Sequence, residues 1–374
     1  MLPQTPEVHM LHYRPLLLLF SIILLLPATA HSTDLDTMIG QMLMAGFRGT
    51  SVEATSPIVQ DIKNRHLGGV VLFDRDVELG TTGRNITSPE QVKKLNRQLQ
   101  SFAAIPLFIA VDQEGGRVQR LNESTGFHTT PSAQAICASG EFKVRTAGYM
   151  TGMNLSANGF NLDFAPVVDV NSNPESPAIG AMGRSFSADP GMVTRCAEIF
   201  AGELKRSGVL SCLKHFPGHG SAGTDSHAGL PDITTTWTDA ELIPYRELIA
   251  KNVPSLIMTG HLFNATLDPT YPATLSKKII TGLLRTDLGY DGVIITDDMN
   301  MKAITTHFSQ KEAILLAIEA GADILLFGNN LHYDPDIVKT AHAIIKKLVT
   351  DKALSRRRIE QSYDRIQQLK EQLS

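Results

Sequence analysis

Short, almost unbroken apolar runs recur along the chain and alternate with longer segments of helical period. The runs are QMLMAGF (residues 41–47), GGVVLF (68–73), PLFIAVD (106–112), LDFAPVV (162–168), VLSCLKH (209–215), SLIMTGH (255–261), GVIITDD (292–298) and ADILLFG (322–328). Apolar residues at consecutive positions suit strands covered on both faces, as in a parallel sheet. Between them, SPEQVKKLNRQLQSFAA (88–104) opens with Ser88 as an N-cap and Pro89 in the first turn, where a missing N–H costs nothing. DPGMVTRCAEIFAGELKRSG (189–208) opens on Asp189 and Pro190 and stops at Gly208. TDAELIPYRELIAKN (238–252) and KEAILLAIEAG (311–321) follow the same logic. Eight runs, each followed by a helical segment, predict an α/β fold: a single-domain (β/α)8 TIM-type barrel, which takes about 250 residues plus insertions. A doubly wound open sheet is the alternative, and the uniform strand-then-helix order argues against it.

The first thirty residues follow a different pattern. LLLLFSIILLL (16–26) comes after Arg14 and is followed by Pro27 and Ala28-Thr29-Ala30. An apolar core without a polar face, then small residues at alternate positions, reads as a signal peptide cleaved after Ala30. Residues 1–30 are then a leader and 31–374 the barrel, in a periplasmic or secreted protein. The run is too short to span a bilayer comfortably, so no stable membrane insertion is expected after cleavage; an uncleaved anchor is the alternative. Export implies an oxidising compartment. The chain has three cysteines, Cys137, Cys196 and Cys212, an odd number without metal-type spacing. All three are read as small buried apolar residues. A formal net charge of −4, 43% hydrophobic residues and a single tryptophan allow a large core and speak against a nucleic-acid partner.

Polar residues end several of the apolar runs: Asp112, Lys214 with His215, His261, and Asp297 with Asp298. In a barrel these ends converge on one face, where active sites sit, and charges placed there without partner or purpose are costly. Asp297, in ITDDMN, can attack an electrophilic carbon or hold a cation; a helix cap or an ion-pair partner is the plain alternative. In VDQEGGRVQR (111–120), Asp112 suits paired hydroxyls and Arg117 and Arg120 bring rigid donor forks. Glu114 reads as a structural partner for Arg117 or the local backbone. GRSFSADP (183–190) places Arg184 just before a helix.

KHFPGHGSAGTDSH (214–227) is the densest titratable stretch. His215 and His219 have a spacing that co-locates zinc ligands only on a helix, and Pro217, Gly218 and Gly220 disfavour one. No metal is expected there, and the order of residues does not fit a phosphate loop. Asp225 and His227 fit an acid/base pair on a glycine-rich loop, the carboxylate fixing the imidazole tautomer. A solvated loop histidine is the alternative.

KHFPGHG followed, after four residues, by DSH resembles the signature of the β-N-acetylhexosaminidases of glycoside hydrolase family 3. LLRTDLGYDGVIITDDMN (283–300) is similar to that family's nucleophile region, and DQEGGRVQR and GRSFSADP match in the expected order. The resemblance covers residues 33 to 350 or so, as one barrel. It implies Asp297 as nucleophile, His227 as general acid/base, Asp225 as its partner, and Asp112, Arg120, Arg184, Lys214 and His215 as the residues that hold N-acetylglucosamine. Asp298 is then a structural neighbour, and His219 and His261 receive no role. The implied reaction is retaining hydrolysis of an N-acetylglucosamine-containing oligosaccharide, from peptidoglycan fragments or chitin, with no cofactor. A histidine stands where most retaining glycosidases place a second carboxylate about 5–5.5 Å from the first, which suits an acid/base delivered by a moving loop. Phosphorolysis, a β-glucosidase activity and an exported sugar-binding barrel without turnover are the alternatives. An export signal departs from the cytoplasmic setting of many family members.

Overall fold

The computed structural model describes residues 1–7, 10 and 33–373. The expected leader core, residues 16–26, and the cleavage site after Ala30 lie outside the described residues. Met1–Thr33 is a small separate unit, without helix or strand among its described residues; Asp34–Ser374 is the second unit.

All eight apolar runs form strands of one parallel sheet: β1 (Leu43–Gly46), β2 (Gly69–Val71), β3 (Phe108–Val111), β4 (Leu162–Asp163), β5 (Leu210–Phe216), β6 (Leu256–Thr259), β7 (Val293–Thr296) and β8 (Leu325–Phe327). They neighbour one another in chain order, with β1 also pairing β8 in the register Leu43–Leu325. The ring closes where Ile295 of β7 bridges Ile324, just ahead of β8. Every strand residue is buried, as continuous apolar runs require. A helix follows each strand: Pro57–Asn64, Pro89–Phe102, Glu141–Ala157, Pro190–Arg206, Ile243–Ala250, the π-helical Lys278–Asp287, Gln310–Ala320 and Ile337–Thr350. The closed barrel expected from the pattern is therefore the fold.

Local chemistry explains the boundaries. The Ser88 hydroxyl accepts from the Gln91 N–H at 3.2 Å, and Asp189 Oδ1 accepts from the Gly191 N–H at 2.9 Å, so both helices start where their caps stand. The segment expected as one helix at 238–252 opens as a 3-10 turn, Asp239–Leu242, and becomes α-helical only from Ile243; Pro244 stands in the first α-turn, where its missing N–H is harmless. β4 is shorter than its apolar run because Pro166 has no N–H for the ladder. Pairing resumes beyond it at the Val167–Lys214 bridge.

The cysteine reading needs correction. All three cysteines are buried, but Cys137 and Cys196 are joined in a disulfide, and only Cys212, in β5, is free. The bond links Ala133–Ala138 to Pro190–Arg206. The two cysteines are 59 positions apart in the sequence, so their proximity arises from helix packing around the barrel and leaves no mark in the local sequence.

Candidate active site

A cavity of about 360 Å³ opens at the C-terminal ends of the strands. It gathers all eight residues singled out above: Asp112, Arg120, Arg184, Lys214, His215, Asp225, His227 and Asp297. They come from the ends of β3, β5 and β7 and from the loops after β3, β4 and β5, the placement that barrel closure imposes on strand ends.

One wall is a network of fixed charges. Lys214, 2% exposed, donates from Nζ to Asp112 Oδ1 at 2.7 Å and lies 2.7 Å from Glu114 Oε1. Arg184 grips Glu114 in a fork, Nε and Nη2 each at 2.7 Å, and its Nη1 donates to the Ala178 carbonyl at 2.8 Å. Arg120 Nη2 stands 3.6 Å from Asp112 Oδ2. Burial pushes the Glu114 carboxyl up, but Arg184 and Lys214 outweigh it and hold it at about 2. Asp112 is likewise held below the usual carboxylate range against its burial, chiefly by Lys214. The two carboxylates in turn raise Lys214 although burial opposes this, so the network is charged throughout at neutral pH. The expected Glu114–Arg117 pairing does not occur. Gly115 and Gly116, at φ 90° and 60°, turn the chain between them, and Arg117 reaches Met182 Sδ at 3.8 Å instead.

A second carboxylate, Asp169, was not singled out by the sequence. It is fully buried behind His215: Oδ2 lies 2.8 Å from His215 Nδ1, and Oδ1 accepts from the main-chain N–H groups of His215 (3.0 Å) and His219 (2.8 Å). Those contacts hold its carboxyl low despite burial, His215 contributing most. With Nδ1 committed to Asp169, His215 has Nε2 left for the cavity. The signal was present, since Asp169 ends the LDFAPVV run as Asp112 and Asp297 end theirs.

Asp297 follows β7 directly. Its N–H donates to the Thr259 carbonyl at 3.1 Å, and its Oδ1 accepts from the Asp298 N–H at 2.7 Å. Burial raises its carboxyl, but the imidazoles of His261, His215 and His227 and the Asp298 N–H together bring it below the ordinary range. It is a carboxylate with one oxygen tied and Oδ2 available. Asp298 instead braces the turn: its Oδ1 accepts from the Gly328 N–H at 2.7 Å and the Asn300 N–H at 2.9 Å, and burial lifts its carboxyl to about 6. His261 sits behind the pair. Its Nε2 meets the Asp298 carbonyl at 3.0 Å and its Nδ1 meets Thr274 Oγ1 at 2.8 Å. A carbonyl only accepts, so Nε2 carries a proton, and burial pushes the pKa of this ring down.

His227 and Asp225 stand at the tip of the loop after β5. Asp225 Oδ1 accepts from the His227 N–H at 2.9 Å and lies 2.9 Å from His227 Nδ1. The His227 side chain is 63% exposed. Asp225 raises the imidazole pKa, burial opposing, and Asp297 adds to the rise. The base of the loop is fixed. A Cβ on Gly218 would strike Glu241, and one on Gly220 would strike the Val170 carbonyl. Glu241 is buried, its carboxyl lifted to about 8 by desolvation, and its Oε2 accepts from the Val170 N–H at 2.9 Å. A rigid base with an exposed tip lets the imidazole approach the cavity without rebuilding its floor. Together these groups supply an ionised carboxylate, an imidazole able to hold or release a proton, and fixed donors and acceptors for hydroxyls.

Comparison with known proteins gives a consistent result. Residues 34–369 match the profile described as the glycosyl hydrolase family 3 N terminal domain. The chain is similar to β-hexosaminidase A of Pseudoalteromonas piscicida, with 35% identity over 92% of this chain and 63% of that one. It is 36% identical to β-hexosaminidase LpqI of Mycobacterium tuberculosis over 77% of this chain and 72% of that one. Among solved structures, a family 3 β-N-acetylglucosaminidase from Paenibacillus superposes with a TM-score of 0.83 at 36% identity, covering 91% of this chain and 63% of that one. A β-N-acetylhexosaminidase from Beutenbergia cavernae gives 0.81 at 28% identity, covering 91% and 99%. The chain thus spans less than two thirds of the length of the Pseudoalteromonas and Paenibacillus proteins.

Proposed function

The chain belongs to glycosyl hydrolase family 3, and on that premise we propose that it is a retaining β-N-acetylhexosaminidase. The observation that carries the reading is an ionised, half-buried Asp297 sharing one cavity with the Asp225–His227 pair. Asp297 Oδ2 attacks the anomeric carbon of a terminal β-linked N-acetylglucosamine while the glycosidic C–O bond breaks. His227 donates its Nε2 proton to the departing oxygen, with Nδ1 held by Asp225. In the second half the neutral imidazole takes a proton from water, the water oxygen attacks the anomeric carbon, and the Asp297 carboxylate leaves. A histidine serves here because it is neutral after giving up its proton and places no second negative charge beside the ester. Asp112, Arg120, Arg184, Lys214 and His215 hold the sugar hydroxyls and the acetamido group.

Peptidoglycan fragments or chitooligosaccharides are the substrates this reading favours, in the periplasm or outside the cell. The leader pattern supports export, and the Cys137–Cys196 disulfide suits an oxidising compartment. The test is release of p-nitrophenol by the chain from residue 31, from the β-N-acetylglucosaminide and from the β-glucoside, each with and without phosphate. Phosphate-independent turnover of the first alone is expected. Turnover of the glucoside alone, or sugar 1-phosphate formed only with phosphate, would overturn the assignment.

A further inference from the structure

The acid/base loop carries a second histidine, and this one has no partner. His219 is 2% exposed, and neither ring nitrogen meets a hydrogen-bonding group. Its ring lines the cavity, edge-on to His215 with centroids 5.8 Å apart. The backbone beneath it is pinned: its N–H donates to Asp169 Oδ1 at 2.8 Å, and neighbouring Gly220 packs against the Val170 carbonyl. The main chain that carries the ring is therefore held in place.

Buried polar groups are almost always paired, so an imidazole fixed in this way points to a ligand that supplies the missing contacts. Burial drives its pKa down to about 4, with His215 beside it. At neutral pH it thus offers one donor and one acceptor. That pairing matches a hydroxyl, which both gives and accepts a hydrogen bond. The charged contacts of the cavity are already furnished by Lys214, Arg184 and the carboxylates.

We propose that His219 is a further sugar-binding residue, its neutral ring engaging a hydroxyl of the glycone beside His215; the inference rests on the hexosaminidase reading above. Its role is binding rather than proton transfer.

The test compares wild type with His219→Leu, which keeps the bulk and removes both polar atoms, and His219→Gln, which keeps a donor and an acceptor. Affinity for N-acetylglucosamine is read by calorimetry, and kcat and KM on the p-nitrophenyl β-N-acetylglucosaminide. His219→Leu should weaken sugar binding about tenfold, the equivalent of about 1.4 kcal/mol and of one hydrogen bond. KM should rise by more than kcat falls, and His219→Gln should recover part of the loss. The melting temperature of His219→Leu without sugar should hold or rise, since an unmet buried polar group has been removed; a purely structural histidine would lower it. Sugar affinity within twofold of wild type would overturn the proposal while leaving the hexosaminidase reading standing. Wild-type protein that neither binds N-acetylglucosamine nor turns the substrate over would overturn both. If His219→Leu fails to fold, nitrogen resonances of the wild-type His219 ring decide: they should shift on titration with the sugar, and unmoved signals would refute the contact.

Discussion

Replacing Glu114 with glutamine changes one oxygen into an amide and removes the charge that joins Arg184 to Lys214. Glu114 accepts two of the three hydrogen bonds that Arg184 makes and lies 2.7 Å from Lys214 Nζ. The cluster holds three cations, Lys214, Arg184 and Arg120, against two carboxylates, Asp112 and Glu114, so the substitution takes its balance from +1 to +2. Removing one partner of a buried ion pair costs about 3–5 kcal/mol. Lys214 keeps Asp112 and Arg184 keeps the Ala178 carbonyl, which points to the lower end, about 3 kcal/mol. At about 2 °C per kcal/mol for a large domain, melting should fall by about 6 °C by calorimetry at pH 7. The Glu114 carboxyl is depressed in the folded protein, from 4.5 to about 2. Its contribution is therefore complete above about pH 4.5 and lost as pH falls through about 2, so the gap between wild type and Glu114→Gln should narrow across that window. Affinity for N-acetylglucosamine should fall in parallel, because the donor forks lose their anchor. A melting temperature within 1 °C of wild type at pH 7, with unchanged sugar affinity, would show that the network does not hold this wall.

Three further outcomes are expected. Cys137→Ala with Cys196→Ala opens a 59-residue span and should cost about 4 kcal/mol by the chain-entropy estimate; reductant should lower the melting temperature of wild type and not of the double variant, and equal sensitivity would contradict the bond. Asp225→Asn removes the main cause of the raised His227 pKa, so the alkaline limb of kcat/KM should move to lower pH, and a limb that stays in place would exclude His227 as the acid. His227→Ala should cripple turnover, by about 100-fold or more, while N-acetylglucosamine still binds; near wild-type rates would exclude its role.

The barrel was readable because each strand is buried on both faces and so writes a continuous apolar run into the chain. The residues that end those runs were readable as a site for a related reason: Asp112, Lys214 and Asp297 are ionisable where local packing alone calls for apolar side chains. What stayed hidden depends on contacts between distant segments. Glu114 belongs to Arg184, seventy residues away, and its neighbour in sequence, Arg117, is turned elsewhere by two glycines. Glu241 acts from beneath the cavity, inside the Asp239–Leu242 turn, and nothing in its flanking residues marks it out, whereas Asp169 directly follows an apolar run and carried the same signal as Asp112 and Asp297. The disulfide was missed because helix packing, and no sequence spacing, brings Cys137 to Cys196. His261 stood out only as a polar residue ending a run, and its task of steadying the Asp298 carbonyl emerges from geometry alone.

The central claim is that Asp297 forms a covalent bond to the sugar. The most direct measurement is peptide mapping by mass spectrometry after incubating the chain from residue 31 with a fluorinated N-acetylglucosaminide that forms its glycosyl-enzyme faster than it releases it. The expected result is one added sugar on the peptide containing Asp297, absent from Asp297→Asn, whose kcat should drop by at least about 1,000-fold. An adduct on another carboxylate, or steady turnover by Asp297→Asn, would contradict it.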